Sequence, residues 1–280
     1  MKTTKFTTKL WSLLVILGLA FTGCSDNEST EVDTQQQDIS EMRLAAEVDE
    51  ASSAMDDIAI DVYEKQEASE LGRRDAEFGL PDCVTVTVVF EQNSREVTID
   101  FGTEGCEVNG NTLKGQIILS WERNPEVQQV FISKSLVGFY FNAKSIEGTK
   151  TILKELSNTN GNPQFTHTLS ITVTWPNGAQ ASREGTKVRE WIEGALNGIF
   201  SDNVFEVTGN WTTNFVNGNT HTYEVITPLR REVICYYFVS GTVDVQRTNF
   251  GGTFDYGEGD CDNQATFTFN NGTEVPITLN

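Results

Sequence analysis

Leu169-Ser170-Ile171-Thr172-Val173-Thr174-Trp175-Pro176-Asn177-Gly178 is the stretch that decides the fold. Large apolar side chains stand at every second position with serine or threonine between them. That period of two belongs to a strand with one dry face and one wet face. The run stops at Pro-Asn-Gly, residues that favour tight turns. The same pattern extends in both directions. Upstream, Val84, Val86, Val88 and Phe90 share one face, and Val97, Ile99 and Phe101 answer them after a turn near Asn93-Ser94. Downstream come Val207, Gly209, Trp211, Thr213 and Phe215, then residues 233–246, then Ala265 to Phe269 turning at Asn271-Gly272 into Val275 to Leu279. Asn-Gly occurs six times, at 109–110, 160–161, 177–178, 197–198, 217–218 and 271–272. Between alternating runs it is the strongest short-range hairpin signal, because type I′ turns need φ > 0 at both central residues. Val188 to Ile192 alone reads equally as strand or short helix. The pattern predicts a mainly all-β fold over residues 83–280, an antiparallel meander or two-sheet sandwich preceded by one N-terminal helix.

That helix is predicted over residues 39–72. Leu44, Val48, Ala51, Met55, Ile58 and Val62 recur at alternating four- and three-residue steps, one thin apolar stripe. Asp38 or Ser40 caps its start, with Glu41 three residues after Asp38 in the manner of a capping box. So thin a stripe favours packing on the β domain, or a simple stalk, over a coiled coil. Residues 24–38 read as an acidic tether and residues 73–82 as a linker.

Residues 1–23 read as a signal peptide. Lys2, Lys5 and Lys9 precede the apolar run Leu10 to Phe21. Twelve residues at ~1.5 Å rise fall short of a ~30 Å hydrocarbon core, so the run is not a membrane span. Gly23-Cys24 resembles the lipobox of bacterial lipoproteins, with Phe21 standing where leucine is usual. Ser25-Asp26-Asn27-Glu28 resembles the acidic export signal of Bacteroidota lipoproteins. The order from Pro81-Asp82-Cys83-Val84-Thr85-Val86 through Val239-Ser240-Gly241-Thr242-Val243 to Asp255-Tyr256-Gly257 also resembles a group of Bacteroidota surface lipoproteins, over roughly residues 40–280. These resemblances imply lipid on Cys24, attachment to the outer membrane, display at the cell surface and a similar architecture. They imply no activity.

With Cys24 taken by lipid, Cys83, Cys106, Cys235 and Cys261 remain, an even set in an exported chain. Three connectivities are possible. Asp100-Phe101-Gly102 before Cys106 parallels Asp255-Tyr256-Gly257 before Cys261, and each of these cysteines follows another by a similar interval. The matched settings favour Cys83–Cys106 and Cys235–Cys261. Val108-Asn109-Gly110-Asn111-Thr112 recurs identically at 216–220, a hint of related halves that hairpin turn chemistry alone also produces.

The net charge is −20. Residues 24–82 hold 18 acidic against four basic residues, a net of −14, and residues 83–280 hold 22 against 13, a net of −9. Such a balance argues against nucleic-acid binding, which needs a basic face, and against adsorption on anionic lipid. His167 and His221 are the only histidines, each flanked by threonines, and are expected at solvent-facing strand positions. With no HExxH, no G-x-S-x-G and no Gly-rich strand-to-helix loop, zinc, serine-hydrolase and nucleotide chemistry have no sequence support.

Asp255, Glu258, Asp260 and Asp262 around Gly257 and Gly259 are a candidate calcium loop, with a solvated turn beside a disulfide as the simpler account. Calcium is the only cofactor the sequence raises. Trp121, Trp175 and Trp211 are candidates for stacking on a glycan, although their apolar neighbours at two-residue steps favour core packing, as Ile117 and Leu119 do for Trp121. The expectation is a lipid-anchored envelope protein with a non-catalytic binding or structural role, its partner a glycan or another envelope protein. The alternatives are a polysaccharide-active enzyme, which needs a facing pair of carboxylates, and a calcium-dependent adhesin module.

Overall fold

The computed structural model describes residues 27–72, 78–124, 126–248 and 250–279, with side chains from Ile39 onward. The signal peptide over 1–23 and the lipidation expected at Cys24 lie outside the described residues. The chain divides into two compact units, 1–37 and 38–280. One helix, α1, spans Asn27–Glu70, so residues 27–38, expected as tether, are helical. Among the described residues no helix is long and apolar enough to cross a membrane.

Fourteen strands follow: β1 (Thr85–Glu91), β2 (Ser94–Asp100), β3 (Cys106–Val108), β4 (Asn111–Glu122), β5 (Gln129–Phe141), β6 (Lys144–Glu155) and β7 (Gln164–Thr174). After these come β8 (Gln180–Glu193), β9 (Val204–Phe215), β10 (Thr220–Glu232), β11 (Ser240–Arg247), β12 (Phe250–Glu258), β13 (Gln264–Phe269) and β14 (Glu274–Thr278). Each pairs antiparallel with its sequence neighbour in a single sheet, except that β2 pairs β4 directly and the short β3 lies beside β4. The fold is therefore mainly all-β and is the meander, not the sandwich. The ambiguous Val188–Ile192 falls within β8. Residues 233–246, read as one strand, are strand only from Ser240; Val233 to Val239 form the connection from β10 to β11.

All six Asn-Gly pairs lie between consecutive strands, four of them in the short turns β3–β4, β7–β8, β9–β10 and β13–β14. Only Asn109 (φ 49°) and Gly110 (φ 76°) both take positive φ. At 177–178, 217–218 and 271–272 only the glycine does, while the asparagine Oδ1 accepts a bond from the N–H two residues on (3.0, 3.0 and 2.9 Å). The asparagine side chain therefore builds the turn that the backbone of a type I′ pair would otherwise make.

The main surprise is the position of the helix. From Val48 to Tyr63 every residue except Ala54 is buried, so this part of α1 is enclosed on all sides and not merely along its apolar stripe. Its side chains bond to residues of β2, β4 to β8, β10 and β11, which means the sheet curls around it. Mid-strand glycines and bulges let a sheet bend this sharply. A Cβ on Gly148 (φ 125°) would meet the Ser170 carbonyl oxygen at 2.2 Å, and one on Gly185 (φ 154°) the Asn210 carbonyl oxygen at 2.5 Å. Register shifts interrupt the β4–β5, β5–β6, β8–β9, β9–β10, β10–β11 and β11–β12 ladders.

Both disulfides take the favoured pairing. Cys83–Cys106 (Cα–Cα 5.7 Å) ties the segment before β1 to β3. Cys235–Cys261 (Cα–Cα 5.6 Å) ties the β10–β11 connection to the β12–β13 connection.

Candidate functional site

The helix is acidic and the sheet's concave face is basic. Of the thirteen lysines and arginines in residues 83–280, eleven form ion pairs with acids of α1; Lys114 and Arg230 are the other two. The pairs run along the whole enclosed helix. Near its start Glu41 meets His221 Nε2 (2.6 Å) and Arg247 (3.4 Å). One and two turns further, Glu47 meets Lys144 (3.1 Å) and Asp49 meets Arg183 (2.5 Å) and Lys187. Asp56 takes Lys134 and Lys150 (3.0 Å), while Asp57 takes Arg189 and Arg231 (2.8 Å). Towards the end Glu64 pairs with Lys154, Glu67 with Arg123 (3.1 Å) and Glu70 with Arg95, bidentate at 2.8 and 2.9 Å.

Burial decides how these groups titrate. Burial opposes ionisation of Asp56, but Lys134 and Lys150 outweigh it and hold the carboxyl well below its usual range. Burial likewise raises Glu41, but hydrogen bonds from His221, Asn217 and Asn219 prevail and bring it to about 2. Lys150 is pushed down to about 7 by burial despite the Asp56 charge, and His167 down to about 3 for the same reason. Two acids go the other way: burial pushes Asp61 up to about 6 despite Lys65, and Glu50 higher still. Glu50 Oε2 has no hydrogen-bond partner among the described residues, and burial pushes the carboxyl up to about 7. A buried pair repays its desolvation only when partners and geometry are complete. Most of the helix carboxylates are met by a cation of the sheet.

The structure moves both histidines from where the sequence suggested and fixes the place of the other candidates. Both histidines are fully buried, not solvent-facing, because they point inward at the helix: His221 at Glu41, and His167 Nδ1 at 3.6 Å from Asp56. Trp121, Trp175 and Trp211 are buried too (3%, 7% and 3% exposed), as is Trp191. Trp121 Nε1 donates to Glu67 (2.8 Å), Trp175 Nε1 donates to Glu47 (2.7 Å), and Trp211 stacks on Tyr223 with Lys187 over its ring at 4.1 Å. None of them offers a face to a sugar. Trp121 and Trp175 serve the ionic core by donating to it, and Trp211 by covering Lys187. Asp255, Glu258, Asp260 and Asp262 do not converge: Asp255 Oδ1 accepts from the Gly257 N–H and Asp262 Oδ1 from the Gln264 N–H, and no metal-holding group of three acids, histidines or cysteines occurs among the described residues. Asp255 and Asp262 each commit one carboxylate oxygen to their own turn.

One recess on the surface was not singled out from the sequence. Arg231, bonded to Asp57, also donates to the carbonyls of Cys235 (2.6 Å) and Tyr236 (2.9 Å), which folds residues 233–239 over the helix. Beneath Tyr236 lies a cavity of about 30 Å³, bounded by Ala54, Asp57 and Ile58 of α1 and by Arg231, room for about one water. Beyond it opens a cleft of about 410 Å³, lined by Ile234, Tyr236, Tyr237, Cys261, Asp262 and Asn263. The two tyrosine rings stand 5.8 Å apart and tilted by 45°, and the Tyr236 hydroxyl donates to the Gly110 carbonyl across the β3–β4 turn. The signal in the sequence was Tyr236-Tyr237-Phe238, which breaks the period of two and sits directly after Cys235. Comparison of the chain with protein-family models, with curated proteins and with solved structures returned no match.

Proposed function

We propose that this is a lipid-anchored cell-envelope protein with a non-catalytic binding role, attached to the outer membrane through Cys24 and binding a glycan at the Tyr236–Tyr237 cleft. The observation that carries the reading is the division of space in residues 38–280. The concave face of the sheet, where a curled sheet ordinarily takes a ligand, is occupied by the protein's own helix. The cleft of about 410 Å³ lies outside it and combines two tyrosine rings with the Asp262 carboxylate and the Asn263 amide. Aromatic faces accept the apolar side of a sugar ring, and a carboxylate and an amide accept and donate to its hydroxyls. The disulfide at Cys261 and the Arg231 bonds hold this cleft in shape, so binding orders little.

Screening the protein against an array of envelope and host polysaccharides tests the reading. Binding that is lost in Tyr237→Ala supports it; no binding, or binding indifferent to Tyr237→Ala, contradicts it. Fractionation tests the anchor: Cys24→Ala is expected to release the protein from membranes, and continued membrane association refutes lipid attachment.

A further inference from the structure

The two edges of the sheet differ. β14 is five residues long and carries Pro276, which has no N–H to offer, at its centre. β1 is seven residues long, lacks proline and lysine, pairs with β2 without a register shift, and has no strand on its other side among the described residues. Its inner row Val86, Val88 and Phe90 continues that of Ile99 and Val97 across the ladder, and Phe90 is 58% exposed. Natural sheets blunt such edges with proline, charge, bulges or shortness. β14 is blunted, and among the described residues β1 is not.

We propose that β1 is the interface with a second copy of this chain: two β1 strands pair antiparallel about a two-fold axis at Val88, joining two sheets into one. The strand's own sequence names the occupant, because it is self-complementary in this register. Centred on Val88, all seven residues pair: Thr85 with Glu91, Val86 with Phe90, Thr87 with Val89, and Val88 with its copy. Apolar meets apolar along the inner row, and Glu91, the strand's one charge, faces a threonine. A slip of one residue would turn one copy's inner row outward. An isologous contact of this kind closes at two copies and does not propagate into fibres. Each copy is strongly acidic, so dimerisation strengthens as salt screens the repulsion.

Oxidative cross-linking of the full chain in membranes, read on a non-reducing gel, tests this. Val88→Cys is expected to give a reducible band at twice the mass of the chain. Thr85→Cys is expected to give none, since its two copies lie roughly 20 Å apart in this register. Equal cross-linking by both variants, no cross-linking by Val88→Cys, or a band of another mass overturns the proposal. A reduced melting temperature for Val88→Cys equal to that of the unmodified protein shows that the variant folds. With that control in place, a monomeric result counts against the interface and not against the fold.

Discussion

The two faces of this sheet carry opposite charge, and the difference shows what the helix is for. The inner face holds eleven of the thirteen lysines and arginines of residues 83–280, each against an acid of α1. Arg230 shows the other situation: a third of its side chain is exposed, and it bonds Glu193 and Glu232 of the strands themselves. A net charge of −20 thus conceals an almost complete sorting, in which cations lie inside against a buried acidic helix and the remaining acids lie elsewhere. The chemistry is the same in both places but the energetics differ. Exposed pairs contribute about 0–1 kcal/mol, whereas removing one partner of a buried pair strands a charge at a cost of about 3–5 kcal/mol.

The largest effect is therefore expected at Asp57. Asp57→Ala leaves Arg189 and Arg231 buried without their anion, and urea unfolding is expected to show a loss of about 3–5 kcal/mol. A loss below 1 kcal/mol would erase the distinction between the faces. Next comes the paired replacement Cys235→Ser/Cys261→Ser, which opens a loop with a sequence separation of 26 and is expected to cost roughly 3 kcal/mol in the same assay.

Glu50 sharpens the comparison from inside, since its carboxyl is buried with one oxygen unpartnered. Its titration lies at about 7 in the folded protein against 4.5 for an ordinary glutamate. The folded state therefore keeps a proton that the unfolded chain releases between pH 4.5 and 7, and stability falls as pH rises through that window. Glu50→Gln is expected to stabilise by up to about 3 kcal/mol above pH 7 and by almost nothing below pH 4.5. His167 acts in the opposite sense. It stays neutral down to about 3 when folded, so stability is lost as pH falls from 6.5 towards 3. The difference between the unfolding curves of the two proteins at several pH values isolates the Glu50 contribution, while Asp61, raised to about 6, and His167 share what remains. The smallest effect belongs to Arg230→Ala, expected to cost less than about 1 kcal/mol and to vanish in high salt.

Much of this was legible in the chain. The alternation of Leu169, Ile171 and Val173 and the Asn-Gly turns specify antiparallel hairpins through local sterics and one-sided burial, and both operate between near neighbours. The matched settings of the cysteines anticipated both disulfides for the same local reason. The place of the helix was not legible. Its apolar stripe of Leu44, Val48, Ala51, Met55, Ile58 and Val62 predicted one buried side, whereas Asp49, Asp56 and Asp57 are buried by residues about 80 to 175 positions away. An acid looks like a surface residue until its partner is known. The same blindness placed His167 and His221 in solvent, although both address carboxylates of α1.

Hydrogen exchange read by mass spectrometry tests the enclosed helix most directly. Amides of residues 42–63 are expected to be among the slowest in the chain, exchanging only with global unfolding and together with the central strands β6 to β8. Exchange of that segment on the timescale of an exposed helix, while β6 to β8 stay protected, would contradict an ionic core built around α1.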